Sequence, residues 1–199
     1  MNGSNTFKYF FVSYGGVGAH MMLDIFKNVE MVNIDSFQKH HIKTPPKSFG
    51  TDTKVVYLYG DPYNAILSYF RRRKQEYITW TKKHCENIRG DYKKMDINWD
   101  VKDYLKNGED LFKLEEHFDN WTNVTEKDYE ICTFKYEDTP NNIEKLYGFL
   151  DIIEPKHKTP FKPRRSDWRN EDQETKELLK NMYGAFYEKY DNHPSFNIY

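Results

Sequence analysis

Apolar positions along this chain fall into two alternating periods. Tyr9-Phe10-Phe11-Val12, Lys54-Val55-Val56-Tyr57-Leu58-Tyr59 and Tyr129-Glu130-Ile131-Cys132-Thr133-Phe134-Lys135-Tyr136 are short apolar runs of strand length. The middle run is nearly continuous, the pattern of a strand buried on both faces of a parallel sheet. Met31-Val32-Asn33-Ile34 is a shorter candidate strand. Between these runs the spacing becomes helical. It predicts helices over 19–28 with Met22, Leu23 and Phe26 on one face, from Pro62 onward with Ala65, Ile66, Tyr69 and Phe70, and over 109–121 with Leu111, Leu114, Phe118 and Trp121. It predicts two more after Asn141 or Asn142 and over 171–190.

The punctuation agrees with the periods. Gly60 ends the central strand, Asp61 can cap the next helix, and Pro62 takes the first helical position, where its missing N–H is harmless. Residues 36–52 and 151–170 read as loops, and 137–140 as a turn before an asparagine cap. The polar, Trp- and Tyr-studded stretch at about 74–108 reads as an irregular insertion forming a lid or wall, with one candidate helix over 76–87. Such an order predicts an α/β fold with three layers, a mostly parallel central sheet and helices on both faces, as one domain over 1–199. Ligands of such sheets bind at the carboxyl ends of the strands.

Composition narrows the partners. A formal net charge of -1 gives no global attraction to nucleic acid or an anionic membrane, so only local basic clusters matter. Cys85 and Cys132 have neither C-x-x-C spacing nor evident partners and read as reduced thiols. No secretory leader pattern opens the chain and no apolar run approaches the roughly 18 residues of a membrane span, so a cytoplasmic, soluble protein is expected. The Asn120 and Asn123 sequons are then chance matches. Oligomeric state is open.

Candidate chemistry begins at Gly15-Gly16-Val17-Gly18-Ala19-His20-Met21, between the first strand and the first helix. Glycines permit left-handed turns and let an anion approach the N–H groups at a helix start; a purely structural turn is the alternative. The lysine and hydroxyl of the G-x-x-x-x-G-K-S/T nucleotide loop are missing. Lys39-His40-His41-Ile42-Lys43 puts titratable groups in a loop before the central strand, where they are either catalytic or solvated. Arg71-Arg72-Arg73 closes a helix, as an anion site or as charge complementing the helix dipole. Arg164-Arg165-Ser166-Asp167-Trp168 is a late basic loop, and His117 beside an apolar stripe is a packed or surface residue rather than a ligand.

Taken in order, these features resemble the sulfotransferases that use PAPS (3'-phosphoadenosine 5'-phosphosulfate). Val55 through Phe70, including Pro62, Asn64 and Ser68, is similar to the family's strand, R-x-P-x-D/N and helix unit that holds the 3'-phosphate. Trp121, Lys135-Tyr136-Glu137-Asp138 and Leu146-Tyr147-Gly148-Phe149-Leu150 look like its W…(R)YEDL…FL segment, and Arg164 through Trp168 like the late R-x-G…W loop. The resemblance implies a P-loop-like sulfotransferase fold. It implies that Gly15, Gly16, Val17, Gly18, Ala19, His20 and Met21 cradle the 5'-phosphosulfate, and that Gly60, Ser68, Arg71, Arg72, Arg164, Arg165 and Ser166 surround the 3'-phosphate.

It further implies sulfuryl transfer from PAPS to a hydroxyl or amine of a small-molecule or glycan acceptor, without a metal. His41 is the first candidate base, His40 the second, and His20 a group contacting the sulfate. Two donors of the family pattern are absent: Gly16-Val17-Gly18-Ala19-His20 replaces Lys-Ser-Gly-Thr-Thr, and Gly60 replaces an arginine. At about 1.5–3 kcal/mol each, that loss weakens a nucleotide by roughly two to four orders of magnitude unless other cations compensate. A non-catalytic ligand-binding module on the same fold, and a P-loop kinase-like phosphotransferase, are the alternatives.

Overall fold

The computed structural model describes residues 9–26, 41–49, 52–75, 78–152 and 161–199. Among them the sheet has four strands side by side in sequence order: β1 (Tyr9–Val12), β2 (Lys54–Tyr59), β3 (Glu130–Lys135) and β4 (Phe196–Ile198). β1 and β3 both run parallel to β2, and β4 is antiparallel to β3. The helices are α1 (Ala19–Phe26), α2 (Pro62–Gln75), α3 (Trp80–Asn87), α4 (Val101–Lys106), α5 (Leu114–Thr122), α6 (Thr139–Phe149) and α7 (Gln173–Asn192). The chain is thus an α/β protein with an open, mostly parallel sheet. The candidate strand at Met31-Val32-Asn33-Ile34 lies outside the described residues.

Every residue from Val55 to Tyr59 is buried, and successive strand residues point to opposite faces, so both faces of β2 are covered. On one face the Tyr57 ring lies 5.7 Å from that of Trp121 at an interplanar angle of 10°. His117 and Phe118 of α5 pack beside it. Tyr59 meets Phe118 and Tyr190, which brings α7 onto the same side. Large rings dominate this core because each buries much apolar area while its polar tip finds a partner. The Tyr59 hydroxyl, for example, donates to the Pro194 carbonyl at 2.7 Å.

Four sequence expectations need correction. Helix α5 starts at Leu114, five residues late, because the Asp110 carboxylate takes the Leu114 N–H at 2.7 Å and Lys113 turns left-handed at φ 55°. Helix α6 starts at Thr139, not after an asparagine cap: Pro140 falls in its first turn, and the Asn142 side chain reaches Ser195 at 3.1 Å. The insertion is more regular than expected: the candidate helix over 76–87 is met by α3, and beyond it lie a short helical turn at Tyr92–Lys94 and α4, whose Asp100 and Asp103 form a reciprocal capping box. Strand β4 was not expected; its three residues are too few to show alternation, and it is held by pairing with Cys132 through Phe134.

Asp61 does cap α2, its Oδ1 accepting the Asn64 N–H at 3.1 Å. Cys85 and Cys132 are buried free thiols. Among the described residues no helix is long and apolar enough to cross a membrane.

Candidate functional site

The carboxyl ends of β1, β2 and β3 meet in one region. Strand β1 runs into a turn in which Gly15, Gly16 and Gly18 have φ of 86°, 63° and 78°, a backbone open to glycine and strained for other residues. The turn is held from behind by its carbonyls. Ser13 accepts from His41 Nδ1 at 2.7 Å, Tyr14 from the Tyr69 hydroxyl at 2.6 Å and His84 Nε2 at 3.2 Å, and Gly16 from Arg164. Among the described residues no acceptor is bonded to the N–H groups of Gly16, Val17, Gly18 or Ala19. With the carbonyls drawn back and α1 beginning at Ala19, the turn offers N–H groups and the positive end of a helix.

The Tyr14 hydroxyl, wholly buried, joins this turn to the end of β2. It donates to the Gly60 carbonyl and accepts the Gly60 N–H at 3.1 Å. Burial pushes its pKa far above the usual tyrosine range, so it stays a neutral donor.

In front of the turn lies a cavity of about 420 Å³. Gly16, Gly18 and His20 form one pole; Ser68, Arg71 and Arg72, on one face of α2 at i, i+3 and i+4, form the other. A strap carrying Arg164, Arg165 and Ser166 crosses it, and Tyr136 closes the side at the end of β3. Among the described residues four arginines line the cavity and no carboxylate does. Arg164 is tied to Glu137 at 2.8 Å, and Arg71 donates to the Ser166 hydroxyl at 3.3 Å. Arg72 lies 5.6 Å from the Trp80 ring centroid. Arg165 is exposed and has no carboxylate partner among the described residues.

The strap is pinned to the start of α2. The Trp168 N–H donates to Asn64 Oδ1 at 2.7 Å and its indole N–H to Asp61 Oδ2 at 3.1 Å. Burial raises the Asp61 carboxyl above the usual carboxylate range.

Of the residues singled out from sequence, Gly16, Gly18, His20, Ser68, Arg71, Arg72, Arg164, Arg165 and Ser166 surround this one cavity. Val17 points into the core and Gly15 sits behind the turn. Ala19 is half-buried against the core, and the Met21 sulfur accepts from the Tyr136 hydroxyl at 3.4 Å. Gly60 lies against Glu137 and Arg164 rather than on the cavity wall. His41 is buried and does not line the cavity; its bond to the Ser13 carbonyl makes Nδ1 a protonated nitrogen. His40 and Tyr77 lie outside the described residues. Lys43 is paired with Glu116 at 2.7 Å, and Trp80 is buried.

Sequence reading missed Tyr136, Glu137, Tyr69 and His84. Tyr136 closes a predicted strand and Glu137 follows it directly, and that position at a strand's carboxyl end was the available signal. His84 carried none: it falls in the candidate helix over 76–87, where nothing in the spacing marks the face turned to the glycine turn. His84 stacks on Trp80 at 4.8 Å and 8°, beneath Gly15. Burial, then the neighbouring His41, lowers its pKa well below the usual value. His117, fully buried, is likewise lowered to about 3 by burial.

The arrangement can hold an anion at each pole, one on backbone N–H groups and one on guanidinium and hydroxyl groups. Among the described residues no cluster of three or more His, Cys, Asp or Glu is arranged to hold a metal ion. Compared with known proteins, the chain matches no family model and no curated protein.

Proposed function

We propose that the chain is a sulfotransferase-like enzyme of the P-loop type, which holds PAPS in the arginine-lined cavity and transfers its sulfuryl group to a hydroxyl or amine. The observation that carries this reading is the two-pole cavity: a glycine turn with free N–H groups opposite Ser68, Arg71 and Arg72, under a strap bearing two more arginines. A nucleotide with phosphate groups at both its 3' and 5' positions has the matching charge distribution. Only charge-assisted bonds are strong enough to hold it, and guanidinium groups supply them. Arg71, Arg72 and Arg165 offset the missing lysine and arginine of the family pattern, whereas Arg164 is largely neutralised by Glu137.

The donor brings an activated sulfuryl group on a phosphate leaving group. In the transfer the acceptor oxygen or nitrogen bonds to sulfur, the bond from sulfur to the phosphate oxygen breaks, and the acceptor proton passes to a base. The N–H groups of the glycine turn stabilise charge that grows on the leaving phosphate. His20 becomes the first candidate base, since it lines the cavity and His41 does not.

Calorimetry with adenosine 3',5'-bisphosphate tests the reading. Binding at micromolar to millimolar concentration is expected; none at millimolar ligand, with the chain folded, overturns it. The burial of His41 behind the turn favours a second reading, a nucleotide-binding module without transfer. Turnover of labelled PAPS onto any acceptor in a broad screen eliminates that one.

A further inference from the structure

A second cavity, of about 360 Å³, lies on the far side of the contact between Arg71 and Ser166. The later half of α2, the start of α4 and the run from the strap into α7 enclose it. Arg71, Arg165 and Ser166 line both cavities and form their common wall.

Its floor is apolar: Leu67 and Phe70 are buried core residues of α2, and Val101 packs half-buried against them. Its rim carries charges of both signs, and the pairing decides which sign is left over. Asp172 binds Lys102 at 3.0 Å and caps α7 through the Thr175 N–H at 2.9 Å. Asp100 caps α4 through the Asp103 N–H at 2.9 Å, and Asp167 holds Arg169 at 3.2 Å. Of the rim carboxylates only Glu171 has no such partner among the described residues.

The cations are less well matched. Among the described residues Arg73 reaches only main-chain carbonyls, those of Ile78 and Trp99. Lys74 and Arg165, both exposed, have no carboxylate partner among the described residues. The residual charge is positive and stands over apolar surface. A pocket built this way selects a ligand with an apolar body and one anionic end, because the body removes floor area from water while the anion meets uncompensated guanidinium and ammonium groups.

We propose that this second cavity binds a small amphipathic anion, an aryl or alkyl sulfate, sulfonate or carboxylate, with its apolar body on Leu67, Phe70 and Val101 and its charge toward Arg73, Lys74 and Arg165. The site is separate from the nucleotide reading and stands without it.

Calorimetry on the full chain with 2-naphthalenesulfonate is the test. The wild-type chain should bind it, and Lys74→Glu and Val101→Asp should each weaken binding about tenfold or more. Lys74 is an exposed side chain, so its substitution leaves folding intact and keeps the test decisive where Val101→Asp does not fold. Neither residue lines the first cavity, so adenosine 3',5'-bisphosphate should bind both variants as it binds the wild type. Arg165→Ala should weaken both ligands. A folded wild-type chain that takes up no naphthalenesulfonate at millimolar concentration, or a Lys74→Glu variant that binds it equally well, overturns the proposal.

Discussion

Arg164 and Glu137 meet 2.8 Å apart at the junction of the strap with the end of β3, directly against Gly60. Glu137 also accepts the Asp61 N–H at 3.1 Å and the Tyr190 hydroxyl at 3.2 Å. One carboxylate therefore ties together the strap, the start of α2 and α7. Arg164 is 8% exposed and Glu137 31%. Glu137→Gln leaves a nearly buried guanidinium without its counter-charge, a change worth about 3–5 kcal/mol for a fully buried pair. With Glu137 partly solvated, about 1–3 kcal/mol is expected. Urea unfolding checks this, and an unchanged midpoint would remove the pair from the account of what holds the strap.

Gly18 admits no side chain. A Cβ there would lie 2.1 Å from Tyr136 Cε2, on a residue with φ of 78°. Left-handed strain and overpacking each cost about 1–3 kcal/mol, so Gly18→Ala should destabilise the fold by about 2–6 kcal/mol. A smaller shift in denaturation midpoint means that the Tyr136 ring swings away, which a change in the cavity's ligand affinity would reveal.

Arg72 lines the anion cavity, and its described side-chain contact is the Trp80 ring. Its removal should therefore act on the ligand far more than on the fold. Loss of one charge-assisted bond of about 1.5–3 kcal/mol corresponds to roughly a tenfold to hundredfold rise in the Kd for adenosine 3',5'-bisphosphate. Arg72→Ala should show that rise with a melting temperature within a few degrees of wild type. The reverse pattern would make Arg72 a structural residue.

Stability should fall on the acid side through two buried histidines. His84 Nδ1 and His117 Nε2 are buried with no hydrogen-bond partner among the described residues, so a proton there would be a charge without an acceptor. Both folded-state pKa values are lowered from an ordinary 6.5, that of His117 to about 3. The unfolded chain therefore takes up protons that the folded chain refuses. Stability is whole above about pH 6.5 and declines as pH falls from there, by up to about 1.4 kcal/mol per pH unit for each histidine. Urea midpoints between pH 7.5 and 4.5 measure the slope. His117→Asn should flatten it while lowering the plateau.

Much of the cavity was legible because it depends on local rules. Once Asp61 and Pro62 set the start of α2, helical geometry alone puts Ser68, Arg71 and Arg72 on one face, and the strand runs place three carboxyl ends together. What was not legible depends on tertiary contact. His41 reads as a catalytic or a solvated loop residue, yet the space beneath Gly15 takes its ring. Leu111 continues a helical stripe, yet Asp110 starts the helix three residues after it. Arg164 reads as a free cation, yet a glutamate from another element neutralises it. None of these pairings leaves a mark in periodicity or spacing.

Strand β4 bears on how the chain is made. Its register with β3 pairs Phe134 with Phe196 and Cys132 with Ile198, and the whole of α7 lies between the two strands in sequence. During synthesis β3 can gain its β2 neighbour early, but its other edge stays uncovered until α7 has left the ribosome. Unpaired strand edges are templates for association between chains. The growing polypeptide therefore passes through a stage in which one flank of the sheet must be shielded, and the emergence of β4 ends that exposure.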